Sequence, residues 1–122
     1  MSVTDWAAVA RQAIAALAPG DLRGANLYLD RRVIASGARV AVGRSEVTVD
    51  RNSALAFLDR APQSNWGHPC RYLLIDLATG AANGFDATEP PFLRGASPEL
   101  RAIARDPAVP DWTLAAPFEP PA

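Results

Sequence analysis

Polar and apolar positions change period along this chain, and each change marks an element. Over residues 4–18, Trp6, Ala10, Ala13, Ile14 and Leu17 recur three and four apart, with Arg11 and Gln12 off that face. Such spacing gathers the apolar groups on one side of an α-helix. Alanine, the strongest helix former, dominates the segment. Ser2 or Thr4 can cap its start, Asp5 suits the positive end of the helix dipole, and Pro19-Gly20 ends it. An apolar face made mostly of alanine suits close packing on a sheet better than a membrane surface or a free partner helix.

From residue 22 the period falls to two. Leu27 and Leu29 alternate with Asn26, Tyr28 and Asp30, then Val33-Ile34-Ala35 follows. Val40 and Val42 alternate with Arg39 and Ala41, and Val47 and Val49 with Glu46, Thr48 and Asp50. Ser36-Gly37 and Gly43-Arg44 read as turns between these runs. Alternation puts the apolar set on a core and the polar set, Tyr28 included, towards water. Ala54–Leu58 reads as a buried strand or a single helical turn, and its length favours strand. Residues 71–77 alternate with both faces partly apolar, which predicts a central strand. Ala78-Thr79-Gly80 then turns the chain, and 81–87 pairs back weakly.

Proline changes the picture after residue 88, where eight of the eleven prolines lie. One short helix is signalled there: Ser97 as cap, Pro98 at the first helical position, Glu99, Leu100 and Ile103, ending near Arg105. The remaining tail reads as extended or polyproline-like. Trp112, Leu114 and Phe118 are too apolar for a solvated tail and are expected to dock.

The fold expected is therefore α+β: an N-terminal helix on an antiparallel sheet of about five or six strands by this count, with a short C-terminal helix. A β-sandwich with a peripheral helix is the alternative. The absence of strand–helix–strand alternation argues against a doubly wound parallel sheet. Residues 1–106 form one domain, and 107–122 a Pro-rich tail.

Length and charge narrow the function. With 122 residues and a net charge of −1, the chain suits one domain and lacks the basic stripe of a nucleic-acid binder. All twelve basic residues are arginine and 25 residues are alanine, a composition that points to a GC-rich, bacterial coding sequence. No apolar run approaches a membrane span, and the first residues lack a secretory pattern. One cysteine, Cys70, allows no internal disulfide, so a cytoplasmic setting is expected.

Candidate chemistry concentrates in Asn65-Trp66-Gly67-His68-Pro69-Cys70-Arg71-Tyr72, which holds the only His and the only Cys. Two residues apart on an extended chain, Cys70 and His68 share a side, so the thiol and imidazole can meet as nucleophile and base, with Asn65 or Asp76 orienting the ring. Against this, no helix begins at Cys70 to lower its pKa. As metal ligands the pair falls two short of a structural zinc, and Asp59, Asp76 or Asp86 would have to complete it. The structural reading has His68 locking a turn and Cys70 packing as a small hydrophobe. No phosphate loop or cofactor motif is present, so no metal or cofactor is expected.

The leading functional expectation is a non-enzymatic protein-binding module, a small regulator, inhibitor or accessory subunit. Its binding residues would be Trp66, His68, Arg71, Tyr72, Trp112 and Phe118, in the loop and the aromatic tail. A small-molecule pocket near Trp66, His68 and Tyr72 is the second reading, and a Cys70/His68 thiol enzyme the third. An unpaired edge strand would also permit a homodimer.

Overall fold

The computed structural model describes residues 3–92 and 95–122. Its elements are helix α1 (Trp6–Ala15) and strands β1 (Asn26–Ile34), β2 (Arg39–Val42), β3 (Ser45–Thr48), β4 (Ser53–Asp59), β5 (Cys70–Asp76), β6 (Ala82–Ala87) and β7 (Leu100–Arg105), with a 3-10 turn at Asp111–Thr113. Five strands form one antiparallel sheet in the order β6-β5-β4-β1-β7, and β2 and β3 form a separate hairpin. The architecture is α+β.

Helix α1 covers one face. Val9, Ala10 and Ala13 pack with Leu27, Leu29, Leu58, Leu73 and Ile75, and Trp6, Ile14 and Leu17 flank them. Small alanine side chains let the helix approach the sheet closely. The cap is Asp5 rather than Thr4: Asp5 is extended (φ −83°, ψ 92°), and its carboxylate accepts from the Ala8 amide at 3.1 Å. An N-cap reaches the amide three residues on, so only the residue just before the first helical turn can serve. Ser2 lies outside the described residues.

The opposite face is also covered, which corrects the expectation that Tyr28 faces water. Tyr28, Phe57, Tyr72, Cys70, Leu100 and Ala102 form a second core there, with Trp66, Phe92 and Leu114 packed around it. The β2–β3 hairpin adds a third cluster, in which Val40 and Val49 meet Leu74. Asn26 and Asp30 are buried with Tyr28. A two-residue connection, Gly43-Arg44, closes the hairpin, since Val42 pairs with Ser45. Gly43 has φ +68° and Arg44 does not have a positive φ, the pattern of a type II′ turn that matches strand twist.

The helix expected from Ser97 to Arg105 is instead strand β7. Its start signal is locally real: the Ser97 hydroxyl accepts from the Glu99 amide, and the Leu100 amide donates to the Ser97 carbonyl. That turn stops after one residue pair, because the Arg31 amide captures the Glu99 carbonyl at 3.0 Å and sheet pairing with β1 begins. Leu100 and Ile103 then point to opposite faces, one into each core. The register slips between Tyr28↔Ala102 and Leu27↔Ala104, leaving Ile103 unpaired at a bulge. Spacing of three, read as helical, is here a strand sandwiched on both sides. Strand β5, expected to be central, lies second from one edge, and β4 occupies the middle. Strand β6 pairs with β5 without a slip from Cys70↔Ala87 to Ile75↔Ala82.

Candidate functional site

The end of the sheet that carries the His–Cys segment is a row of cross-strand neighbours: Asn26 opposite Asp59, and Asp59 opposite Cys70. Phe57 and Asp59 share a face by strand alternation, so Asp59 points with the aromatic core into a space roofed by the 60–69 loop. His68 hangs from that loop. Its Nε2 lies 2.8 Å from Asp59 Oδ1 and its Nδ1 2.9 Å from the Asn65 carbonyl oxygen. Each ring nitrogen thus faces an oxygen of the loop or of β4, and neither is left to face the thiol. Trp66 stacks on the imidazole, with ring centroids 4.0 Å apart and planes at 24°. The indole also packs against Phe57 and Phe92.

Cys70 is brought to the same end and turned elsewhere. Its thiol lies 3.6 Å from the Glu89 carbonyl oxygen, which also accepts from the Tyr72 hydroxyl at 2.7 Å. Burial pushes the thiol up to about 11, and the Asp59 carboxylate adds to the shift. A thiol so placed is protonated at neutral pH, and the imidazole has no nitrogen left to activate it. Burial likewise pushes the Tyr72 phenol up to about 12. Among the described residues no three His, Cys, Asp or Glu side chains gather as a metal site.

The binding residues read from the sequence are divided by the fold. His68 and Tyr72 are buried, Trp66 and Arg71 are half-buried, and Trp112 and Phe118 are exposed. Trp66, His68 and Tyr72 belong to one aromatic cluster through Phe57. Trp112 and Phe118 belong to the tail, which lies along the open side of β7. The Ala102 amide donates to the Pro117 carbonyl and the Glu119 amide to the Ala102 carbonyl, both at 2.8 Å. Glu119 meets Arg31 and Arg101 at 3.2 and 3.3 Å. The Arg105 guanidinium lies over the Phe118 ring and also pairs with Asp111. Thr113 accepts from the Asn26 amide group at 3.1 Å and donates to the Pro110 carbonyl.

Asp59, Asn26 and Phe92 complete these arrangements; Asn26 and Phe92 were not singled out in the sequence, and Asp59 only as a possible third metal ligand. Asp59 ends an apolar run, which marks a strand terminus and carries no signal of a direct hydrogen bond to a histidine nine residues later. A groove of about 870 Å³ opens beside the aromatic core, floored by Leu55, Phe57 and Tyr72 and rimmed by Arg32, Arg39 and Ser97. Asp30 on its wall is held by Arg32 at 2.7 Å. Trp66 and His68 do not line it.

No helix among the described residues is long and apolar enough to cross a membrane. No protein family, curated protein or solved structure matches this chain.

Proposed function

We propose that this chain is a non-enzymatic protein-binding module whose principal contact is Trp112. The observation that carries this reading is the mounting of that side chain. The indole is 72% exposed, yet the turn beneath it is tied down by Asn26–Thr113 and Arg105–Asp111. A rigid, exposed tryptophan loses little conformational entropy when it enters a partner's pocket, which is why such residues dominate interface energetics. Phe118, 45% exposed and held to β7, extends the same surface. Trp66 shapes the neighbouring loop and spends most of its ring on the core. The partner is another protein, met in the cytoplasm, where a lone thiol stays reduced.

Affinity capture with the intact protein, read by mass spectrometry and native mass, tests this reading. One stoichiometric partner is expected, with binding weakened by Trp112→Ala, a variant that leaves the fold intact. A partner retained equally by Trp112→Ala and by a chain lacking residues 117–122 sinks the reading.

A second reading has its own observation, the aromatic-floored groove, whose volume falls within the range of small-molecule sites. It predicts a ligand-dependent rise in melting temperature across a metabolite panel. Absence of any rise removes it.

A further inference from the structure

The two edges of the sheet are treated differently. At β7 the tail supplies backbone partners to Ala102. At β6, among the described residues, β5 is the sole pairing strand. Proteins ordinarily blunt such an edge with proline, lysine, a bulge or a covering segment. Strand β6, Ala-Asn-Gly-Phe-Asp-Ala, has no proline, lysine or bulge. Its one charged residue, Asp86, lies 3.6 Å from Arg71 of the neighbouring strand, with the carboxylate largely in solvent and the arginine half-buried.

Gly84 gives this edge a chemistry. A Cβ built there would fall 2.7 Å from the guanidinium carbon of Arg71 and closer still to its nitrogens. The guanidinium therefore lies across the edge strand in the space a side chain would fill. Among the described residues it makes no hydrogen bond there beyond its loose approach to Asp86. Arg60, exposed, borders the cleft beside Asp86 and Ala87 at the far end of the strand. Two guanidiniums thus flank one carboxylate along β6. On the opposite side of the strand Phe85, half-buried, continues the aromatic core and packs beside the β2–β3 hairpin.

We propose that β6 is a docking edge for an extended strand of a partner protein, one that alternates acidic and apolar side chains. Main-chain pairing to the free edge supplies the attachment, as in strand addition generally. Carboxylates on one side of the incoming strand meet Arg71, which can bind them through two parallel N–H donors. Apolar residues on its other side meet Phe85 and extend the aromatic core. This surface is separate from the Trp112 surface and stands or falls independently of it.

Six-residue capped peptides, the length of β6, alternating valine with glutamate or valine with lysine, test the proposal on the intact protein. Backbone amide shifts and exchange protection give the readout. The glutamate peptide is expected to move and protect amides of residues 82–87, and to bind about tenfold more tightly than the lysine peptide, the scale of one charge-assisted hydrogen bond. Arg71→Gln and Gly84→Ala, the latter displacing the guanidinium without touching its charge, are each expected to erase most of that preference. Trp112→Ala is expected to change nothing here. Equal binding of both peptides, or unmoved amides in β6, overturns the proposal. Protection of β6 that rises with protein concentration in the absence of peptide assigns the edge to a second copy of the chain, and also overturns it.

Discussion

His68 Nε2 lies in hydrogen-bond contact with Asp59 Oδ1 at 2.8 Å, with the two side chains only 8% and 6% exposed. This contact ties the 60–69 loop to the end of the middle strand. Removing either partner strands the other's polar atoms in the core. His68→Ala and Asp59→Ala are each expected to lower stability by about 3 kcal/mol. Replacement of both by apolar residues is expected to cost less than the two single changes added together. Urea unfolding of the three variants measures this. Additive losses would mean that the pair is not coupled.

The Cys70 thiol makes the fold sensitive to alkali. In the unfolded chain the group ionises near 9.0, and in the fold it keeps its proton up to about 11. Between those values the unfolded state has released a proton that the folded state retains, so stability falls as pH rises. Below 9 the contribution is fully present. Tyr72, pushed up to about 12, extends the same trend at higher pH. Cys70→Ala is expected to flatten the stability profile between pH 9 and 11. The wild-type thiol is expected to react with a maleimide at neutral pH only upon unfolding. Fast labelling of the folded protein would restore a chemical role to Cys70.

Gly43 and Gly37 separate two kinds of strain. Both have positive φ, but a Cβ at Gly43 would lie 2.8 Å from the Ala87 Cβ, whereas one at Gly37 meets nothing within 4 Å. Gly37→Ala is expected to cost about 1–2 kcal/mol for the left-handed backbone alone. Gly43→Ala is expected to cost more, since the hairpin must also move off β6. Thermal or urea unfolding ranks the two. Equal losses would show that the hairpin tip yields freely.

The tail belongs to the sheet edge it covers. Deleting residues 117–122 removes both backbone bonds to Ala102 and the carboxylate shared by Arg31 and Arg101. A loss of about 1–2 kcal/mol is expected for the two hydrogen bonds. Amide exchange at Ala102 should accelerate by more than at Leu29, which lies deeper in the sheet. Unchanged exchange at Ala102 would mean that the tail does not hold this edge in solution.

Local order was legible in the sequence wherever one short-range pattern had a single solution. The helix face of Trp6, Ala10, Ala13 and Ile14, the Gly43-Arg44 turn and the alternating strands around it all follow from chemistry within a few residues. So does the α+β class, which needs only the order and type of elements. The candidate segment around His68 was legible as a concentration of rare side chains, without its geometry.

Contacts across the sheet decided the rest. Leu-Arg-Ala-Ile-Ala-Arg has helix-forming residues and a real turn before it, yet the free edge of β1 and two apolar faces draw it into a strand. Tyr28 reads as a polar alternant until the hairpin, the 60–69 loop and the tail cover that side of the sheet. Asp59 and His68 become partners because β4 and β5 are neighbours and the loop between them folds back. The reach of the deciding interaction explains the division. Periodicity, capping and turn preference act over a few residues and are written in them, while burial and ion pairing depend on which distant segment arrives opposite.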